Sequence, residues 1–153
     1  LAAAGNGRVS GGKAAGYNND TDSKPSYPAS YPFENIISVA AVNSNDQLAP
    51  FSNYGKKTVH IGAPGVQILS TVPGSKYQDT IKGLFGLLRV TWDGTSMATP
   101  FVAGATAVLW SKNSTKNWRE IKTMVLSSVK KSQNLNGKVA TGGILDFRHS
   151  PLK

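Results

Sequence analysis

Gly94-Thr95-Ser96-Met97-Ala98-Thr99-Pro100 sets a serine at the opening of an apolar stretch that reads as a helix. A hydroxyl there lies beside N–H groups that no earlier turn can satisfy, at the positive end of the helix dipole. The same N–H groups favour an oxyanion forming next to the serine, so nucleophilic acyl transfer is one chemistry this pattern allows. Gly94 permits close approach of a ligand to the backbone. Pro100 falls near the edge of the first turn, where a missing N–H matters least. On spacing alone the competing role for Thr95 or Ser96 is that of a helix N-cap. The chain has no cysteine, which excludes thiolate catalysis, cysteine-ligated zinc and disulfides.

These residues need a scaffold, and the sequence supplies its parts. Leu1–Ala4 reads as a buried strand ending at Gly5-Asn6-Gly7, and 8–30 as loop rich in Gly, Asn, Asp, Ser and Pro. Ile36–Val42 is a β-branched apolar run of the kind buried on both faces of a parallel sheet. Thr58–Ile61 and Val66–Ser70 read as further strands, parted by Gly62-Ala63-Pro64-Gly65. Ser96 to about Ser111 is helical and apolar on every side, which marks a central helix. Trp118 to about Lys131 is an amphipathic helix instead, with Asn117 and Glu120 spaced as a capping box. Strands and helices in this order predict an α/β layered fold.

The 153 residues suffice for one domain with a core, and 39% hydrophobic against 16% charged residues is a globular composition. No run of 18 apolar residues occurs, so no membrane span is expected. The net charge of +9 is scattered rather than interleaved with aromatics, so specific nucleic-acid binding is not expected.

Gly94 to Pro100, continuing through Phe101-Val102-Ala103-Gly104-Ala105, resembles the serine signature of the subtilisin-like serine proteases. Ala2-Ala3-Ala4-Gly5-Asn6 is similar to the same family's strand-and-turn segment. Tyr27–Pro32, Ile36–Val42, Phe51–Gly55 and Ala63–Val66 also resemble family segments, in family order. The resemblance runs from Leu1 to about Phe147. It implies a three-layer subtilisin-like fold around a mainly parallel sheet, with residues 1–153 as the C-terminal part of a peptidase catalytic domain. The family alternative is a binding or regulatory module that kept the serine loop but lost catalysis. A serine esterase is disfavoured, because the Gly-x-Ser-x-Gly elbow is absent at Ser96.

The resemblance implies an endopeptidase acting through an acyl-enzyme on Ser96, with Asn6 as oxyanion donor; apart from it, Asn6 is a turn residue. It places Ala3, Ala4 and Gly5 on one wall of the primary specificity pocket, Trp92 on the leaving-group side, and Gly94 and Thr95 against substrate. Met97, next to the nucleophile, is an oxidation-sensitive neighbour or core filler. Family order runs Asp, His, Ser, so both partners of Ser96 are expected before Leu1. His60 and His149 lack the family's histidine context and read as a strand side chain and a tail residue. No cofactor is required for catalysis. Asn18–Asp22 reads either as oxygen ligands for a structural calcium or as ordinary turn chemistry, and the resemblance implies a weak cation site at the Ala29 and Tyr31 carbonyls. A cis Tyr27-Pro28 bond is expected. The expected partners are a peptide or protein substrate, the N-terminal half of the same catalytic domain and a pro-segment inhibitor. The expected location is secreted or extracytoplasmic. Ser75–Asp93 is longer than the usual family link and reads as a hairpin flap or an inert surface hairpin.

Overall fold

The computed structural model describes residues 1–72, 76–77 and 92–149. Its centre is a five-stranded sheet of β1 (Ala2–Ala3), β4 (Ser38–Val42), β5 (Ile61–Pro64), β9 (Gly143–Leu145) and β8 (Val129–Lys131), in that spatial order. β1, β4, β5 and β9 run parallel, and β8 closes one edge antiparallel to β9. Every residue of β4 is buried, as its apolar run requires. Alternation sends Val39 and Ala41 to one face and Ala40 and Val42 to the other.

The first face carries the helices. α1 (Thr95–Lys112) buries Ala98, Val102 and Leu109 on Val39, Ala41, Ile61 and Ala63. α2 (Trp118–Ser127) adds Ile121 and Val125 to the same core. The second face is covered by loop and a single 3-10 turn: Val59, Leu135 and Val139 pack on Ala40, Val42 and Ile144. The sheet therefore lies between a helical layer and an irregular one, a mixed α/β fold with a mainly parallel sheet.

Several local readings are corrected. The strand expected at Thr58–Ile61 begins at Ile61 and runs through the presumed turn to Pro64. Gly62 belongs in the strand because a Cβ there would stand 2.8 Å from Leu135 Cδ1; close packing, not a turn, needs that glycine. Val66–Ser70 forms no strand; it holds one isolated bridge, Ile68 to Trp92, and Gln67 has positive φ. α2 stops at Ser127, and Val129–Lys131 pairs as β8, because Val129 is buried while both lysines face solvent. The segment read as loop from Arg8 contains a hairpin, β2 (Arg8–Ser10) with β3 (Lys13–Ala15), turning through Gly11 and Gly12 at positive φ. β6 (Thr71–Val72) and β7 (Lys76–Tyr77) form a second small antiparallel pair. The rest of the Ser75–Asp93 flap reading lies outside the described residues up to Trp92. Tyr27-Pro28 is cis. Among the described residues no helix is long and apolar enough to cross a membrane.

Candidate active site

Ser96 is the second residue of α1, exposed at the carboxyl ends of the parallel strands. The helix begins at Gly94, whose backbone caps it without any side-chain cap bond. Gly94 O accepts from Met97 N and Ala98 N, and Thr95 N is taken by Asn6. The Ser96 N–H and hydroxyl carry no hydrogen bond among the described residues. Ser96 is therefore no cap: it stands inside the helix, and no described residue takes up its hydroxyl or N–H.

The start of α1 is pressed onto the sheet. Gly94 N donates to Gly65 O at 2.8 Å, Ile68 N to Trp92 O at 3.1 Å, and Gln67 N to Asp93 Oδ1 at 2.7 Å. A Cβ at Gly65 would stand 2.6 Å from Ala41 Cβ and 2.7 Å from Gly94 O, so this approach requires glycine. The Ser96 position is thereby indexed to β5.

Asn6 meets this terminus from across the chain. Its Oδ1 accepts from both Thr95 N and Thr95 Oγ1, each at 2.9 Å. Thr95 Oγ1 in turn accepts from Gly5 N at 3.2 Å. A backbone N–H only donates, so the amide oxygen of Asn6 must face Thr95 and its NH₂ must face away. That Nδ2 would lie 3.3 Å from a Cβ built on Gly94, which places it beside the backbone two residues before Ser96. The structure thus brings Asn6, Gly94, Thr95 and Ser96 together. Thr95 is buried and its hydroxyl is committed to Gly5 and Asn6, so it orients Asn6.

A buried polar network holds the Asn6 turn, and the sequence reading missed it. Asn19 Nδ2 donates to Ala4 O at 2.9 Å, while Asn19 Oδ1 accepts from Asn53 Nδ2 and Ser26 N. Asn53 N donates to Gly5 O at 2.8 Å. Gly5 has φ +108°, and a Cβ there would meet Asn53 Nδ2 at 2.5 Å, so both conformation and space demand glycine. Ala4 is fully buried and its methyl offers nothing to a ligand; Ala3 and Gly5 are half-buried.

Beside Ser96 opens a largely apolar cavity of about 450 Å³, lined by Trp92, Met97, Pro100 and Phe101 with Ile68 and Leu69. Trp92 is 47% exposed there, so it is not a packed core aromatic.

His60 is occupied elsewhere. Its Nδ1 accepts from Ser38 N at 3.0 Å, which requires the neutral ring. Burial, assisted by the Lys122 charge, lowers its pKa from 6.5 to about 4. The His149 side chain lies outside the described residues.

The side-chain oxygens of Asn18, Asn19, Asp20 and Asp22 all accept hydrogen bonds within the chain. Burial alone would raise Asp20, but hydrogen bonds from Thr58 Oγ1 and from the N–H groups of Lys57 and Thr58 outweigh it and lower its pKa. Asp22 is held at about 2 by hydrogen bonds from Arg8, which pairs with it bidentately, and from Lys24 N. The carbonyls of Ala29 and Tyr31 accept no hydrogen bond among the described residues, and carbonyl oxygen is a donor type that hard cations take.

Comparison with known proteins identifies a family. The family model described as "Subtilase family" matches residues 1–142. "Subtilisin-like protease 2" of Plasmodium falciparum (isolate 3D7) is 43% identical over 93 residues, 61% of this chain and 6% of that protein. "Subtilisin E" of Bacillus subtilis (strain 168) is 46% identical over 89 residues, 58% of this chain and 19% of that protein. A chain solved under the description "Structural basis of subtilase cytotoxin SubAB assembly" superposes with a TM-score of 0.71 at 26% identity, covering 96% of this chain and 46% of that one. The matched regions thus span less than half of these relatives' lengths.

Proposed function

This chain belongs to the subtilase family, and from that premise we propose that it is the nucleophile-bearing part of a serine endopeptidase catalytic domain. The supporting observation is the Thr95–Asn6 pairing, which commits the amide oxygen of Asn6 and leaves its NH₂ without a partner among the described residues at the start of α1.

In this reading the Ser96 Oγ attacks a peptide carbonyl and forms an acyl-enzyme, releasing the amine. The carbonyl oxygen becomes an oxyanion between two donors, the Ser96 N–H and Asn6 Nδ2. Both are oriented before substrate arrives, the first by the helix and the second by Thr95, so little reorganisation is needed as charge develops. Ala3 and Gly5 border the acyl side. Trp92, Met97 and the apolar cavity border the leaving-group side. By the family's Asp, His, Ser order the proton acceptor for Ser96 and the carboxylate that orients it belong to the part of the domain before Leu1, and His60 is engaged with Ser38. A serine without its base is a weak nucleophile, so these 153 residues alone are expected to be nearly inactive. The Ala29 and Tyr31 carbonyls would hold a structural cation with no part in the chemistry. An extracytoplasmic location belongs to the same proposal.

The test is labelling of the full-length protein with a fluorophosphonate. Labelling abolished by Ser96→Ala, in a variant that still folds, is the expected result. Undiminished labelling of that variant would overturn the assignment.

A further inference from the structure

Positive charge that lies scattered along the sequence is gathered by the fold at one place. Lys56 and Lys131, far apart in the chain, line one cavity of about 440 Å³ together with Gln133, Asn136 and Thr141. Lys56 precedes β5, and Lys131 pairs with Gly143 at the start of β9, so the cavity stands at the amino ends of the parallel strands. Ser96 lies at their carboxyl ends. Lys131 is held in position, because its Nζ donates to Thr141 O at 2.6 Å. The other two protons of that ammonium remain for a ligand. Gly55 N donates to Lys138 O at 2.7 Å, which keeps a further lysine segment beside that of Lys56 and Lys57. Among the described residues no carboxylate lines the cavity. The acids nearby are already engaged: Asp46 pairs with Lys130 at 2.6 Å, and Asp20 accepts from the N–H groups of Lys57 and Thr58. The side-chain amides of Gln133 and Asn136 carry no hydrogen bond among the described residues.

We propose that this cavity is a binding site for a sulfated polysaccharide. The two ammonium groups supply charge-assisted hydrogen bonds to a sulfate. The amides of Gln133 and Asn136 match sugar hydroxyls, since both kinds of group donate and accept. Other polyanions fit the place less well. A membrane surface is flat, whereas these charges surround a concavity. No aromatic ring lines it, so the bases of a single strand have nothing to stack on. The side-chain carboxylates of an acidic peptide would engage the lysines but only accept, and would offer the amide oxygens of Gln133 and Asn136 no donor. The net charge of +9 speeds the encounter with any polyanion, and the cavity selects among them. The proposal does not rest on the chemistry assigned to Ser96.

The probe is a fully sulfated heparin hexasaccharide, titrated into the folded full-length protein, where saturable binding is expected. Lys56→Ala combined with Lys131→Ala should weaken it at least about tenfold and lower the slope of log Kd against log salt by about two. Lys13→Ala combined with Lys112→Ala removes the same charge from exposed positions elsewhere and should change Kd by less than about twofold. Equal weakening by the two pairs would overturn the proposal, because it would show attraction to net charge alone. The absence of binding would overturn it too, as would equal affinity for the desulfated hexasaccharide, or for an acidic peptide or DNA duplex of the same charge. Lysine acetylation of the unaltered protein gives a second measurement should the paired variant not fold. Protection of Lys56 and Lys131 by the hexasaccharide, relative to Lys13, supports the site, and uniform acetylation sinks it. Fluorophosphonate labelling of the Lys56→Ala and Lys131→Ala variant is expected to match that of the unaltered protein, so sugar binding and serine chemistry are read separately.

Discussion

α1 and α2 pack on the same face of the sheet but solve the problem of their first turn in opposite ways. α2 is self-sufficient. Asn117 Oδ1 accepts from the N–H groups of Arg119 and Glu120, and the Glu120 carboxylate accepts from Asn117 N. Its outer face is charged and its inner face apolar. α1 has no side-chain cap of its own, leaves the Ser96 N–H and hydroxyl without a hydrogen bond among the described residues, and is uncharged until Lys112. Its terminus is instead fixed from outside, by Asn6 on Thr95 and by Gly65 on Gly94. The difference separates a helix that caps itself from one whose first turn is fixed by residues distant in sequence.

The comparison breaks most sharply at Asn6. In the full-length protein, Asn6→Ala should lower kcat by about 10²–10³ with little change in KM, a range that comes from subtilisin's own oxyanion asparagine. Steady-state peptide hydrolysis checks it, and an unchanged kcat would mean that the terminus of α1 is no more catalytic than that of α2. Thr95→Val removes one of the two donors that orient Asn6 and should lower kcat by about tenfold, with Thr95→Ser restoring most of it. A purely structural threonine would shift stability without that rescue in kcat. Asn117→Ala tests the other helix: it should cost about 1 kcal/mol in a denaturant melt and leave kcat unchanged.

The smallest effect concerns pH. His60, facing Lys122 of α2, is held neutral with its pKa lowered from 6.5 to about 4. Between those values the unfolded chain binds a proton that the folded chain does not, so stability is complete above about pH 6.5 and declines as pH falls toward 4. Below that window this residue causes no further loss. His60→Gln should flatten this part of a plot of Tm against pH, and an unchanged slope would assign the acid sensitivity to other groups.

What the sequence made legible was local. Ser96, its glycine and the apolar run after it are contiguous, as are Asn117 and Glu120, so spacing alone positions them. The apolar run of β4 was equally plain. Asn19 and Asn53 were not, because their work joins residues 34 apart and their sequence surroundings look like ordinary turn chemistry. Thr95 read as a substrate contact, and only the fold shows it directed at Asn6, 89 residues away. Val129 fits both the periodicity of α2 and the alternation of β8; the sheet edge decided between them. The Gly11-Gly12 hairpin was a readable two-residue turn hidden in a segment of loop-like composition.

The clasp between residues 65–68 and 92–94 has one more implication. Because its two sides are tied together directly, the stretch joining them is a closed loop hung from a fixed base. Lengthening such a loop twofold costs only about 0.6 kcal/mol of closure entropy. Insertions there can change the length of that stretch while Ser96 stays in place, so the part of the chain free to diversify is separated from the part that must not move.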